Sequence, residues 1–361
     1  MRFYIITGEI SGDMHAANLV REMKKINTSI SFRAWGGDRL ISEGVSIVKH
    51  IKNTSFMGFW NVLKNINIIK SNLSFCKKDI LHFNPNAIIL VDYPGFNLKI
   101  AKYAKKNGIK VFYYISPKVW AWNLKRVKKI KVYVDHLLVI FPFEVKFYKN
   151  HGINAIYVGN PLLDEIDKKC TKLSFNSSKP IIALLPGSRK QEIDLILPIM
   201  LSIVDNFPNF QFIIACNNLF SKEYYTSFIK DFNVQLIFNE TYALLSNAKA
   251  ALITSGTASL EAALLNVPQV VCYKTNFLTY ILARMMVKIQ FLSLVNILLE
   301  NNVVKELIQK KLNTENLIKE LNIIFNNHER KKIFKSYKKI NNILRKKEAS
   351  KFAARYIINT I

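Results

Sequence analysis

Arg2-Phe3-Tyr4-Ile5-Ile6-Thr7-Gly8-Glu9-Ile10-Ser11-Gly12-Asp13 opens the chain and decides its fold class. An aromatic and β-branched run stops at a glycine, and helical periodicity follows, so the stretch reads as a strand, a tight turn and a helix. The same unit recurs. Apolar runs predict strands at Phe3–Thr7, Ser31–Trp35, Ala87–Val91, Lys110–Ile115, His136–Ile140 and Ala155–Val158. The clearest end in polar or glycine turns: Gly36-Gly37, Asp92-Tyr93-Pro94-Gly95 and Ser116-Pro117. Such alternation builds a parallel sheet, and in open α/β sheets ligands bind outside the carboxyl ends of the strands. The turns are therefore where chemistry is sought.

Between Asp167 and Pro180 the pattern lapses into a polar stretch that reads as an interdomain linker. The alternation then restarts, with strands predicted at Ile181–Leu185, Gln211–Ala215, Val234–Ile237, Ala250–Ile253 and Gln269–Cys272. Past Lys274 the text reads as helical to the end, closing on a short helix from Ala349 to Ile361. The expected architecture is α/β, with two Rossmann-like domains at 1–167 and 168–348.

Across 361 residues, 52 Lys and Arg stand against 25 Asp and Glu, a formal charge of +27. With half the residues hydrophobic and 21% charged, the chain is neither disordered nor membrane-embedded. Lys99 to Lys131 holds eleven basic residues and no acid. Such a block suits a nucleic acid or an anionic membrane, and composition does not choose between them. No RRM, KH or helix-turn-helix signature appears, and the aromatic residues do not interleave with the lysine runs, so no nucleic-acid partner is expected. Cys76, Cys170, Cys216 and Cys272 form no CxxC pair, which argues against zinc and a disulfide framework and for a reducing cytoplasm. The apolar run at the N-terminus is too short for a signal peptide. Phe277 to Leu299 is interrupted by Arg284 and Lys288, short of the roughly 20 apolar residues a spanning helix needs. A soluble or surface-lying protein is expected.

Leu184-Leu185-Pro186-Gly187-Ser188-Arg189, ahead of a helix, puts free N–H groups, a hydroxyl and a guanidinium at one point, which suits a diphosphate. An ordinary βα turn with a surface arginine reads equally well. In Thr254-Ser255-Gly256-Thr257-Ala258-Ser259-Leu260-Glu261, Thr257 caps a helix toward phosphate and Glu261 can accept from a ribose diol, or the segment is only a capping box. Two such clusters on successive strand ends favour a nucleotide-diphosphate site in the second half. Acids mark the turns of the first half: Glu9, Asp13 and Asp92. A carboxylate there can serve as general base on an incoming hydroxyl, or cap a turn. No DxD pair, HExxH or His/Cys cluster is present, so no bound metal and no cofactor is expected. Phe59, Val62, Leu63, Ile66 and Ile69 hold helical spacing with Trp60 and Ile68 off the stripe, a face wide enough for a core or for lipid.

Gly8-Glu9-Ile10-Ser11-Gly12-Asp13, Asp92-Tyr93-Pro94-Gly95-Phe96-Asn97, Ser116-Pro117-Lys118-Val119-Trp120-Ala121-Trp122, Leu184 to Arg189 and Ser255 to Glu261 occur in the order and spacing of the lipid-A-disaccharide synthase family, which the chain resembles over essentially its whole length. The resemblance implies a GT-B glycosyltransferase, two Rossmann-like domains around a cleft with acceptor in the first and nucleotide in the second. It implies inverting transfer of 2,3-diacylglucosamine from UDP to the 6-hydroxyl of 2,3-diacylglucosamine 1-phosphate (lipid X). By motif it places Ser188 and Arg189 on the diphosphate, Gly256, Thr257, Glu261 and Asn296 around the UDP-sugar, and Asp92 as base with Glu9 close behind. Phe59, Trp60, Val62, Leu63, Ile66 and Ile69 match its membrane-associating segment, which implies a peripheral enzyme on the anionic phospholipid of the inner membrane, facing the cytoplasm. Ala349–Ile361 matches a helix that crosses back to the first domain, giving it residues 349–361, and that can be exchanged within a homodimer. One departure is Asn160, where many relatives carry His; an amide does not titrate, which puts an acid/base role there in doubt.

Overall fold

The computed structural model describes residues 1–53, 66–122, 124–169, 177–276, 280–281, 284, 290–344 and 348–361. It divides into two compact units, Met1–Pro161 with Lys346–Ile361, and Leu162–Arg345. The division falls after Pro161, the first residue of the helix Pro161–Lys169, six residues before the expected boundary at 167.

The first unit is built on seven parallel strands: β1 (Arg2–Ile6), β2 (Ser31–Gly36), β3 (Ser46–His50), β4 (Ala87–Val91), β5 (Lys110–Tyr114), β6 (His136–Val139) and β7 (Ala155–Tyr157). Their order is β3-β2-β1-β4-β5-β6-β7. Every residue of β4 is buried, the continuous apolar run expected of a strand covered on both faces. Alternate residues of β1 feed two cores. Phe3 and Ile5 pack with Leu19, Val20 and Met23 of the helix Ile10–Ile26, and Tyr4 and Ile6 pack with Cys76 and Ile80 of the helix Ile66–Phe83. The C-terminal helix Ala349–Thr360 joins the first of these cores through Ala353, Ala354 and Ile357. Lys110 Nζ ties its end by donating to the Thr360 carbonyl at 2.7 Å, and His136 Nδ1 meets the Tyr356 hydroxyl at 2.9 Å.

The second unit repeats the plan with β8 (Ile181–Leu185), β9 (Gln211–Cys216), β10 (Val234–Phe238), β11 (Ala248–Thr254), β12 (Gln269–Tyr273) and β13 (Lys305–Ile308), ordered β10-β9-β8-β11-β12-β13 and parallel throughout. Each sheet is thus of Rossmann type. Two strands escape the sequence reading, β3 (Ser-Ile-Val-Lys-His) and β13 (Lys-Glu-Leu-Ile), and the region after Lys274 is accordingly not helical throughout. Both lie at a sheet edge, where short, charged strands do not show the apolar run that marks a central one.

Candidate active site

In both sheets the strand order reverses between the first strand and the fourth, at β1/β4 and at β8/β11. Connections leave such neighbours toward opposite faces and open a crevice at their carboxyl ends. Glu9 follows β1 and Asp92 follows β4; Ser188 and Arg189 follow β8, and Gly256, Thr257 and Glu261 follow β11. The fold therefore gathers the expected residues at its two switch points, with Asn296 the exception.

The end of β4 is strained. Asp92 (φ 44°) and Tyr93 (φ 47°) both take the left-handed conformation, which costs a non-glycine residue about 1 kcal/mol or more. Two donors hold the pair. Asn97, fully buried in the following helix Pro94–Lys106, donates through Nδ2 to the Asp92 carbonyl at 2.7 Å, and the Tyr113 hydroxyl donates to the same oxygen at 2.5 Å. The Asp92 side chain is half-buried, and burial raises its carboxyl above the usual range against the pull of Lys118 and Arg126. A rigid carboxylate with raised proton affinity is what a general base requires. The Tyr93 ring lies against Gly8: a Cβ at position 8 would sit 2.2 Å from its Cγ, so a side chain there is excluded. Glu9, next in sequence, adds to the effect of burial in raising the Tyr93 hydroxyl, so the two candidate carboxylates share one neighbourhood. Asp13 has a different duty. Buried, it accepts the Gly37 N–H at 2.6 Å and the Arg39 N–H at 3.0 Å and so caps the helix Asp38–Ser42.

The end of β5 is strained as well. Ile115, β-branched, stands at φ 62°. Beyond it, Ser116 Oγ meets the Tyr148 hydroxyl at 2.6 Å, and the Trp120 indole donates to Glu144 Oε1 at 3.3 Å. Glu144 Oε2 accepts the N–H groups of Ile140 (3.2 Å) and Phe141 (3.1 Å) after β6. Burial pushes the Glu144 carboxyl up to about 7, against the lowering effect of these donors. Sequence reasoning did not single out Glu144; the available signal is Pro142-Phe143-Glu144, proline at the first helical position and glutamate at the third.

In the second unit Gly187 stands at φ 109°, and a Cβ there would lie 2.5 Å from Glu192 Oε2. That oxygen accepts the N–H groups of Ser188 (3.1 Å) and Arg189 (3.3 Å), while Arg189 Nη1 donates to Oε1 at 3.2 Å. An anion cradle is present, and the protein's own carboxylate is seated in it. Gly256 is the N-cap of the helix Thr257–Leu264, with Thr257 exposed at its first position. Glu261, half-buried, accepts from the Tyr242 hydroxyl at 3.4 Å. Asn296 lies fully buried in the helix Leu294–Leu299. Its Oδ1 accepts from the N–H groups of Val303 (2.8 Å) and Val304 (2.9 Å), and its Nδ2 donates to the Val304 carbonyl (2.8 Å) and Glu306 Oε1 (2.9 Å). Glu306, another residue not anticipated, also accepts the N–H groups of Leu292 (2.9 Å) and Ser293 (2.8 Å). Since Ser255 Oγ donates to the Leu292 carbonyl at 3.3 Å, Asn296 and Glu306 support the segment behind the β11 turn.

Of the expected lipid-facing residues, Phe59, Trp60, Val62 and Leu63 lie outside the described residues. Ile66 is exposed at the start of its helix together with Ile68, while Ile69 turns inward on the stripe of Leu73, Cys76 and Ile80 and packs against the core. Asn160 is buried. Among the described residues no group of three His, Cys, Asp or Glu side chains could hold a metal ion, and no helix is long and apolar enough to cross a membrane.

The profile of one protein family, described as lipid-A-disaccharide synthetase, matches residues 3–359. The chain belongs to that family. It is 36% identical over 332 residues to the lipid-A-disaccharide synthase of Trichlorobacter lovleyi, covering 89% of this chain and 87% of the other. With the enzyme of that name from Syntrophus aciditrophicus the identity is 37% over 341 residues, covering 91% and 89%. Among solved structures, UDP-GlcNAc 2-epimerase from Neisseria meningitidis bound to UDP-GlcNAc aligns with a TM-score of 0.69 at 15% identity, covering 99% of this chain and all of that one. The glycotransferase of kitacinnamycin aligns with a TM-score of 0.59 at 10% identity, covering 100% and 99%. These two likenesses show the fold, two Rossmann-like halves of the GT-B kind. Family membership makes the chain a glycosyltransferase of lipid A biosynthesis.

Proposed function

We propose that the chain transfers 2,3-diacylglucosamine from UDP-2,3-diacylglucosamine to the 6-hydroxyl of lipid X with inversion, giving the β-1,6 disaccharide 1-phosphate and UDP. Asp92 takes the proton of the 6-hydroxyl as its oxygen attacks the anomeric carbon and the bond to UDP breaks on the opposite face. Glu9, near the Tyr93 that follows Asp92, adds negative charge on this side. Arg189, Ser188 and the N–H groups behind them receive the diphosphate, and Gly256, Thr257 and Glu261 receive the nucleoside end, with Asn296 acting from behind through the segment it pins. The observation that carries this reading is the β4 end: a strained, doubly hydrogen-bonded backbone that fixes a half-buried carboxylate of raised proton affinity. In this assignment the first unit takes the acceptor and the second the UDP-sugar.

Charge favours work at an anionic lipid surface. The helices Ile66–Phe83, Pro94–Lys106, Lys125–Tyr133 and Pro142–Lys149 pack on one face of the first sheet and carry fourteen Lys and Arg against two acids, Asp79 and Glu144, both buried. On the other face, Ile10–Ile26 and Ala349–Thr360 carry five basic residues against two acids. Lys77 Nζ lies 5.3 Å from the Tyr103 ring and Lys102 Nζ 6.0 Å from the Tyr133 ring, which joins three of the basic helices into one layer. Lysines near an anionic bilayer attract it additively, and exposed Ile66 and Ile68 add apolar contact at its margin. Packing of Ala349–Thr360 on Ile10–Ile26 also offers a contact that a second copy could make by exchange.

The reading is tested by UDP release from UDP-2,3-diacylglucosamine with and without lipid X. Release that requires lipid X and yields one disaccharide per UDP is expected; equal release without lipid X removes the transferase assignment.

A further inference from the structure

We infer that Glu144 is a positioning residue of the acceptor side, fastening the loop after β5 to the turn after β6 and so fixing where the Lys118 backbone stands relative to Asp92. The inference rests on the assignment of Asp92 as the base. It starts from the strain at Ile115, which turns the chain sharply out of β5 and needs an outside fastening. The segment Ser116–Trp120, which runs into the short helix Val119–Trp122, has two. One is Ser116 Oγ against the Tyr148 hydroxyl at 2.6 Å; the other is the Trp120 indole on Glu144 Oε1 at 3.3 Å. Lys118 lies between them, exposed, and its charge acts on Asp92. Glu144 can serve both loops because its second oxygen is already committed to the Ile140 and Phe141 N–H groups. The buried Glu144 carboxyl is costly wherever one of its hydrogen bonds goes unmade, so loss of the indole is felt at once. Phe143 stands edge-on to Trp120 at 5.1 Å and keeps the indole from swinging out.

The groups that face Asp92 are Lys118 and Arg126, whose charges lower its carboxyl, and Tyr93 and Tyr113, whose backbone N–H and hydroxyl lie beside it. Glu144 is faced by Trp120 and Ser116 from the β5 loop and by the Ile140 and Phe141 N–H groups, with Tyr148 on its own helix. If Lys118 moves away, Asp92 binds its proton more tightly. The acidic limb of the kcat profile then moves to higher pH.

The experiment measures kcat and donor KM against pH for the full chain and for Glu144→Gln, Trp120→Phe and Lys118→Ala, with circular dichroism on each. Glu144→Gln cannot present an acceptor to both the indole and the backbone pair, and Trp120→Phe removes the indole N–H while leaving the carboxylate. Both are expected to shift the acidic limb upward in the same direction as Lys118→Ala, with kcat falling at least threefold at pH 6 and donor KM moving less than twofold. Should Lys118→Ala shift the limb while folded Trp120→Phe leaves it in place, the positioning role of Glu144 is wrong and the base assignment stands. Full activity in Asp92→Asn would instead remove the base assignment itself.

Discussion

The two switch points use opposite means. At β1/β4 and the neighbouring end of β5, three residues that are not glycine (Asp92, Tyr93 and Ile115) sit in the left-handed region, and burial raises the carboxyls of Asp92 and Glu144. At β8/β11, positive φ falls on a glycine, Gly187, and the groups that would meet a diphosphate are exposed: Ser188 and Thr257 are open to solvent and the Arg189 side chain keeps 57% of its accessible surface. Proton transfer needs a group fixed in place with a tuned proton affinity, whereas a diphosphate must arrive and leave. In the proposed assignment, strain is therefore stored on the side of the chemistry, and the side of binding relies on replaceable hydrogen bonds.

The most direct way to break this contrast is Asp92→Asn. It keeps the shape and the backbone fastenings but not the basicity, so kcat is expected to fall by about 10²- to 10⁴-fold with donor KM within a factor of about three. Steady-state kinetics decide it, and a variant above a tenth of wild-type activity would mean that the strain at β4 serves something other than proton transfer. Stability should show the second largest effect, through Glu144. Its carboxyl titrates near 7 in the folded chain against 4.5 when free, so folding binds a proton in that window. A raised pKa stabilises the fold fully below 4.5 and loses that contribution as pH climbs through 7, a difference of roughly 3 kcal/mol. Urea unfolding of wild type and Glu144→Gln at pH 5 and pH 8 reads it as a difference: the wild type should lose stability with rising pH relative to the variant, and parallel curves would refute the raised value. On the binding side, Arg189→Ala removes a charge-assisted contact worth about 1.5–3 kcal/mol and should lower kcat/KM for the donor about 10- to 100-fold, chiefly through KM.

The same contrast explains what could be read from sequence. Strands buried on both faces announce themselves: β4 and β8 fall at Ala87–Val91 and Ile181–Leu185 as the apolar runs predict. The edge strands β3 and β13 do not, because a polar edge looks like a loop. Candidate residues were legible where a strand ends in a polar turn, since the parallel fold places those turns together without further information. What stayed hidden depends on partners distant in sequence. Glu144 gains its environment from Trp120, 24 residues earlier, and the Asp92 carbonyl is held by Tyr113, 21 residues later. Asn296 is the instructive residue: the resemblance leads one to expect it beside the nucleotide, yet its amide is spent on Val303, Val304 and Glu306, so in the proposed assignment it acts through the segment it pins.

Glu192 offers the smallest effect and the finest test of the contrast. Its carboxylate accepts the N–H groups of Ser188 and Arg189 and meets the guanidinium, the donors that a diphosphate would need. A ligand must displace this internal anion, or at least share its donors, before it can bind. Glu192→Gln leaves an amide oxygen for the two N–H groups, so the turn at Gly187 keeps its cap, while the competing charge is gone. A charge at a solvent-exposed helix N-terminus is worth about 0.3–1 kcal/mol, so UDP should bind the variant about two- to fivefold more tightly, as titration calorimetry at fixed low salt would show. The gain should shrink as salt is raised, because screening already weakens the native competitor. Tenfold weaker binding would give the opposite account, in which the carboxylate shapes the cradle rather than occupying it, and the second switch point would then be as firmly built as the first.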